Sequence, residues 1–205
     1  MVRQSIALML GNSKEIDVVA EAINGEEAIE LVNALAVDVV LMDVRMPGVN
    51  GLEATHRILA DNTGTKVIGL SGHNDSGYPG LFLRAGAHGY ISKESDLQEM
   101  VTAIKTVNNG DGFIPPDVAK RIAEQPDNEA ENPFSTLSER ELQIALLLLE
   151  SHQLEDIAEQ LTLNLRSVRN YRKKVFSKLN IKTEVELTLQ GLRFGMIEGD
   201  NIMRR

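Results

Sequence analysis

The chain has 205 residues, 42% of them hydrophobic and 25% charged, a composition typical of folded proteins and a length that suits two small domains. It contains no cysteine, which excludes disulfides, thiolate metal sites and cysteine nucleophiles. No apolar run approaches the length of a membrane-spanning helix or of a signal peptide's hydrophobic region, so we expect a cytoplasmic protein without a membrane partner.

The charge is divided unevenly along the chain. Residues 1–135 carry a net charge of −10, whereas residues 136–205 carry +1. Within the second part, one stretch of seven basic residues contains no acidic one: Arg166, Arg169, Arg172, Lys173, Lys174, Lys178 and Lys182. This pattern indicates a local basic patch on a nearly neutral domain.

The first 115 residues alternate β-rich runs with helical patterns, which predicts an α/β domain with a parallel sheet. The predicted strands are IDVVAEA (16–22), VDVVLMD (37–43), KVIGLSG (66–72) and GAHGYIS (86–92). The domain's last helix is expected to follow a capping box formed by Ser95 and Gln98.

A polar stretch rich in Pro, Asp, Asn and Glu follows, and we predict a linker over residues 116–134. Residues 135–205 show only helical patterns, with predicted helix starts at Ser138 (with Glu141), Asn164, and Thr183 (with Glu186). Two helices joined by a short turn, the second of them basic, predict a helix-turn-helix in an all-α, four-helix domain.

The basic helix from Asn164 to about Leu179 has two different faces. At 100° per residue its apolar side chains cluster within about 40°, and polar ones fill an arc of about 100° on the other side. A solvated helix face normally mixes both signs of charge, so a stretch with no acid favours DNA binding over a merely solvated surface. The predicted DNA-binding residues are Arg166, Arg169, Asn170, Lys173, Lys174 and Lys178.

Three side chains with complementary chemistry follow three predicted strands. Asp43 ends a buried strand, in the region where open α/β sheets bind ligands, and Ser71 and Lys93 follow the next two strands. Asp43 alone could simply begin a loop by bonding its own backbone. Together, a carboxylate, a hydroxyl and an ammonium could form and stabilise an aspartyl phosphate, which also needs a divalent metal.

These segments resemble the response regulators of the NarL/FixJ class, and more closely the two-component transcriptional regulators of the GacA/UvrY type. The resemblance rests on LMDVRMPGVNGLEAT, on the spacing of Ser71 and GYISK, on NPFSTLSERELQIALLL and on LTLNLRSVRNYRKKVFSKLNIKTEVEL, and it covers nearly the whole chain. It implies a flavodoxin-like (CheY-like) receiver followed by a LuxR-type helix-turn-helix domain.

The resemblance also implies a function and a set of sites. A sensor histidine kinase would phosphorylate Asp43, with Ser71 and Lys93 contacting the phosphoryl group and Tyr90 swinging inward with Ser71. The backbone carbonyl of Arg45 would be a Mg²⁺ ligand. The regulator would then bind promoter DNA as a dimer, in GacA-like global regulation, and would not itself be an enzyme.

The beginning of the chain departs from the family pattern. Receivers of this family start with a hydrophobic strand that ends in two adjacent acidic residues that hold Mg²⁺, and this chain starts at residues that resemble the following helix. We therefore expect weak or absent Mg²⁺ binding, because Asp43 and the Arg45 carbonyl are too few ligands for an octahedral site. Two explanations are open: the natural start lies upstream of Met1, or the receiver has degenerated.

Two alternative functions remain open for this chain. A degenerate receiver would act as an interaction module and leave DNA binding insensitive to phosphate. A haloacid-dehalogenase-type phosphatase would need a second aspartate where Arg45 stands.

Dimerisation is expected on the last helix, through a stripe that could instead pack internally: Val185, Leu189, Leu192 and Met196.

Overall fold

The computed structural model describes residues 2–44, 46, 48–61, 64–72, 78–124, 132–194 and 196–197. The chain divides into two compact units, Met1–Ala119 and Lys120–Arg205. Among the described helices, none is both long and apolar enough to cross a lipid bilayer.

The first unit alternates helices with parallel strands, as predicted. Its elements are α1 (Val2–Gly11), α2 (Gly25–Ala34), β1 (Val39–Asp43), α3 (Gly51–Asp61), β2 (Lys66–Ser71), α4 (Tyr78–Arg84), β3 (Gly89–Ser92) and α5 (Leu97–Asn108). The strands form a parallel sheet in the order β1-β2-β3.

Both faces of the central strand are covered. Ile68 and Leu70 pack into a cluster with residues of α1 and α5, and Gly69, which faces the other way, approaches the rings of Phe82 and Tyr90. Because β2 is enclosed on both faces, almost all of its residues are apolar. The predicted α/β class is therefore confirmed.

The prediction of a strand over residues 16–22 was wrong. A segment counts as a strand only when its backbone pairs with a neighbour, and this one pairs with none of the described residues. It lines, together with β1, an apolar groove of about 630 Å³. Val18 and Val19 are consequently exposed despite their β-forming character.

The backbone of β1 explains where this groove lies. Lys66 N donates to Asp38 O at 2.8 Å and Val44 N donates to Leu70 O at 3.2 Å. Because backbone groups of alternate residues point to opposite edges of a strand, Val39 and Leu41 turn theirs toward the groove. β1 is thus the edge of the described sheet on that side.

Part of the predicted linker is helical. Helix α6 spans Pro116–Glu124 and buries Val118, and a 3-10 turn covers Pro133–Thr136. The intervening residues 125–131 lie outside the described part, and the predicted domain bounds stay predictions.

Between residues 137 and 194, all of them described, the second unit has four α-helices: α7 (Glu139–Leu149), α8 (Leu154–Gln160), α9 (Leu165–Lys178) and α10 (Glu184–Arg193). Ile144, Leu147, Ile157 and Val168 join three of them in one buried cluster. The short α8 and the longer α9 form the predicted helix-turn-helix, so the all-α, four-helix prediction is confirmed.

Most predicted caps are present, with two differences. The capping box of Ser138 and Glu141 is complete, and Asn164 Oδ1 accepts from Ser167 N at 2.8 Å. Thr183 caps α10, but Glu186 accepts from Lys182 N instead of closing a box. For α5 the prediction was wrong by one residue, because Asp96 caps the helix by accepting from Glu99 N. A carboxylate one residue closer to the first turn competes successfully with the Ser95 hydroxyl.

Candidate functional site

The sheet brings the three predicted side chains together at the carboxyl ends of its strands. Asp43 pairs in register with Leu70, the residue before Ser71, and Lys93 N donates to Ser71 O at 2.7 Å. Lys93 Nζ lies 2.7 Å from Asp43 Oδ1, with 21% of the lysine and 35% of the aspartate side chain exposed. The carboxylate therefore has a cation beside it and remains reachable from solvent.

The loop after Asp43 is held by contacts that the sequence analysis missed. Glu26 Oε1, on α2, accepts from Val49 N at 3.0 Å, and Asn50 Oδ1 caps α3 by accepting from Glu53 N at 2.8 Å. A Cβ atom at Gly51 would lie 2.0 Å from Asp43 O, so only glycine allows α3 to begin this close to β1. The spacing of Asn50 and Glu53 in the sequence indicates a helix cap. No sequence pattern predicts that Glu26 contacts the loop after Asp43.

Tyr90 lies inside the first unit. It is 2% exposed and packs edge-to-face on Phe82, with ring centroids 6.2 Å apart. Gly69 makes room for both rings, since a Cβ atom there would lie within 2.9 Å of each. The inward position is the one that the resemblance assigns to the activated state, and the movement itself stays a prediction.

The described side chains do not fit a magnesium ion. Mg²⁺ requires octahedral oxygen ligands, several of them usually water. Among the described residues, no group of three or more His, Cys, Asp or Glu side chains could hold a metal. The predicted carbonyl ligand of Arg45 lies outside the described part.

Helix α9 separates its two faces as predicted. Val168, Val175 and Leu179 are buried, whereas the polar face is exposed along its length: Arg166, Arg169, Asn170, Lys173, Lys174, Ser177 and Lys178. Within the described part of the chain, Arg166, Arg169 and Lys173 form no ion pair. Their charges are available to a polyanion.

Two basic residues of α9 are bonded within the unit instead. Lys178 Nζ donates to Glu141 Oε2 at 2.6 Å and to Thr136 O at 3.1 Å. Arg172 Nε donates to Glu184 Oε1 at 2.9 Å, and its guanidinium stacks 4.2 Å from the ring centre of Phe176. These contacts give Lys178, one of the six predicted DNA-binding residues, a structural role that joins α9 to the start of α7.

The contact between Lys178 and Glu141 predicts a pH-dependent stability. Burial raises the pKa of Glu141, but hydrogen bonds from Lys178 and Ser138 and the charge of Lys178 outweigh it, so that the pKa lies below the usual 4.5. A carboxyl whose pKa is lowered on folding stabilises the native state above its unfolded pKa, and this contribution disappears as the pH falls through the folded pKa.

We expect Glu141→Gln to lower the free energy of unfolding by about 1 kcal/mol at neutral pH, because it removes the charge but keeps an acceptor for Ser138 N. The difference in the free energy of unfolding between the variant and the native protein should shrink as the pH falls below 4.5. Urea unfolding at each pH measures it. Glu159→Gln, at an exposed position on α8, is the control. A difference independent of pH would refute the electrostatic role.

The predicted dimer stripe on α10 is partly exposed. Val185 is 69% and Leu189 61% exposed, Leu192 is half-buried and Met196 is buried. Val185 and Leu189 are one helical turn apart, so together they present an apolar patch on the surface of α10 that a partner can cover. Val185 and Leu189 therefore do not pack internally, which excludes the alternative of a wholly internal stripe.

Each of the two units matches a known protein family. Residues 1–105 match the model of the response regulator receiver domain, and residues 135–190 match that of the bacterial regulatory proteins of the luxR family. The structure of RcsB from Salmonella enterica serovar Typhimurium bound to a promoter has a TM-score of 0.53 with this chain at 20% identity, covering 91% of this chain and 90% of that one. This likeness concerns the fold.

Two relatives match over nearly their full length. The response regulator UvrY of Escherichia coli is 42% identical over 204 residues, which are 98% of this chain and 94% of the relative. The response regulator GacA of Pseudomonas aeruginosa is 40% identical over 201 residues, 97% of this chain and 94% of the relative. The chain therefore belongs to the two-component response regulators that join a receiver domain to a LuxR-type DNA-binding domain.

Proposed function

We propose that a sensor histidine kinase phosphorylates this response regulator on Asp43, and that the regulator controls promoters as a dimer. The observation that carries the proposal is the 2.7 Å contact between Lys93 Nζ and Asp43 Oδ1 at the carboxyl edge of the sheet. The similarity to UvrY and GacA supports a role in the same kind of two-component regulation.

The residues at this edge suit phosphoryl transfer. An oxygen of Asp43 attacks the phosphorus of the kinase's phosphohistidine, the N–P bond breaks, and the released imidazole takes up a proton. The product carries more negative charge than the carboxylate, and the adjacent Lys93 ammonium stabilises it electrostatically. Ser71, which is buried next to the Lys93 backbone, offers a hydroxyl donor on the same edge. We assign no step to a metal, because the described side chains do not form its site.

DNA binding is proposed to use the exposed basic face of α9. Arg and Asn can pair bidentately with guanine and adenine edges in the major groove, and Lys reaches bases or phosphates. Arg166, Arg169, Asn170, Lys173 and Lys174 offer these groups to solvent, and we leave Lys178 out of the set because Glu141 binds it. We also propose that the chain is not an enzyme, since residue 45 is arginine where an aspartate-dependent phosphatase would need its second aspartate.

The test of phosphorylation is the intact mass of the chain after incubation with acetyl phosphate in Mg²⁺ buffer. We expect a gain of one phosphoryl group, about 80 Da, that Asp43→Ala lacks. Asp38→Ala, which removes an exposed carboxylate just before the same strand, should still show the gain.

The absence of a gain both in this chain and in a chain extended upstream of Met1 would overturn the proposal and favour a phosphate-independent regulator. That second candidate is supported by the described residues, among which no group of three or more His, Cys, Asp or Glu side chains could hold a metal. The two candidates also differ in DNA binding, which should respond to acetyl phosphate only if Asp43 is a working acceptor.

A further inference from the structure

An arginine of α7 binds the turn between α8 and α9. Arg140 Nη2 donates to Leu161 O at 3.1 Å, and Arg140 Nη1 donates to Gln143 Oε1 at 2.7 Å. Gln143 lies on α7 itself and is 5% exposed, so it holds one arm of the planar guanidinium while the other arm reaches the turn. The arginine therefore joins the turn to α7.

The carbonyl of Leu161 depends on this contact. Leu161 is 1% exposed, which keeps water away from its carbonyl, and no second group in the described chain donates to that oxygen. A buried carbonyl left without a donor destabilises a fold. The position also suits a cation, because the C-terminus of a helix carries partial negative charge and α8 has no basic residue in its own last turn.

The turn has a backbone conformation that its sequence does not favour. Thr162 has a φ of 53°, in the left-handed region, where a β-branched residue is rare and strained. Thr162 N donates to Glu159 O at 3.1 Å, and Leu163 N donates to Ala158 O at 2.8 Å, a pattern typical of helix ends with glycine at the left-handed position. Because Thr162 is exposed, packing of its own side chain does not impose this angle. Contacts from outside the turn must hold it, and Arg140 supplies one.

The turn determines how α9 is presented. Residues 161–164 alone separate α8 from α9, and the last of them, Asn164, caps α9 by accepting from Ser167 N at 2.8 Å. In a helix-turn-helix the second helix enters the major groove while the first crosses the DNA backbone. Both helices contact the same DNA only at a suitable angle between them, and a change in the backbone of so short a turn changes that angle.

We propose that Arg140 is a positioning residue for DNA binding, which fixes the turn between α8 and α9 and so the angle at which the basic face of α9 meets DNA. The inference rests on the proposed binding of DNA by α9. Arg140 acts through the carbonyl of Leu161 and not through a contact of its own with DNA.

The first test is Arg140→Met, which keeps an unbranched apolar side chain and removes every donor. In the full chain without DNA, the amides of Thr162 and Leu163 should exchange with solvent deuterium about tenfold faster, because the turn opens more often. Affinity for a duplex selected from random DNA by this protein should fall about threefold to tenfold, because fewer molecules hold the bound conformation. Arg57→Met removes the same charge from an exposed position on α3 and should change neither value.

A second substitution separates positioning from stability. Thr162→Gly relieves the strained φ, so adding it to Arg140→Met should restore the exchange protection of the amide of Val168, a buried residue of α9 that reports the stability of the second unit. DNA affinity should stay low in the double variant, because glycine permits more turn conformations and does not replace the lost contact. If affinity returns together with the protection of Val168, Arg140 acts on stability alone and the positioning role is refuted.

Arg169→Ala distinguishes failure of this inference from failure of the proposed function. If Arg140→Met binds DNA like the native protein while Arg169→Ala loses affinity, the positioning role is refuted and the base-contacting face of α9 stands. If Arg169→Ala also binds normally, the DNA binding by α9 on which the inference rests is refuted. Unchanged exchange of the Thr162 and Leu163 amides in Arg140→Met would refute the hold of Arg140 on the turn, whatever the DNA affinity.

Discussion

Arg169→Ala is expected to weaken binding to a duplex selected from random DNA by this protein about tenfold to a hundredfold. Binding to an unselected duplex should weaken far less. Arg169 is exposed on the polar face of α9, and an arginine that pairs bidentately with a guanine contributes about 1–3 kcal/mol of discrimination. Lys173→Ala, one turn further along the same face, should also weaken binding. Because each variant removes one positive charge from the interface, both should flatten the salt dependence.

The measurement is the dissociation constant of each duplex over a series of salt concentrations. Lys14→Ala is the matched control, since it removes the same charge from an exposed position in the first unit. Unchanged affinity and unchanged salt slope in both Arg169→Ala and Lys173→Ala would refute the assignment of α9 as the recognition helix. Loss of affinity in the control as well would instead indicate a nonspecific effect of net charge.

Leu189→Glu is expected to abolish the dimer on DNA. Leu189 and Val185 are the two most exposed apolar side chains of α10, and burial of one leucine stabilises an interface by about 1.5–3 kcal/mol. In a two-fold dimer the same substitution acts on both protomers, so two carboxylates enter the interface. The affinity for a duplex with two half-sites should therefore fall about tenfold or more, to the value of a single half-site.

Sedimentation and binding to duplexes with one or two half-sites measure this effect. Leu8→Glu, at a leucine of α1 that is 71% exposed, introduces the same charge outside α10 and should leave the dimer intact. A Leu189→Glu protein that still binds two half-sites cooperatively would place the dimer interface elsewhere. Equal losses in both variants would point to a general effect of exposed charge.

Local signals in the sequence predicted the elements and much of the site. Caps such as Ser138 and Asn164 mark helix starts, because a side-chain oxygen satisfies the free amides within three residues of itself. The meeting of Asp43 and Lys93 was also predictable, since parallel strands end at one edge of their sheet.

Contacts between distant residues were not predictable in this way. Lys178 looked like its basic neighbours, and only the packing of α9 against α7 brings its ammonium to Glu141, 37 residues earlier. Glu26 gave no signal either, and only the fold brings its carboxylate to Val49 N, 23 residues later. Neither contact leaves a periodic trace in the sequence.

By itself, the sequence determined the helical periods, the caps, the basic face of α9 and the order of strand ends, because each depends on residues close together in the chain or on the parallel rule. Tertiary structure alone decided that residues 16–22 form no strand, that β1 borders an open groove and that Val185 and Leu189 stay exposed. The physical reason is that β-pairing and burial depend on which distant segment lies alongside, and β-propensity cannot substitute for a missing hydrogen-bond partner.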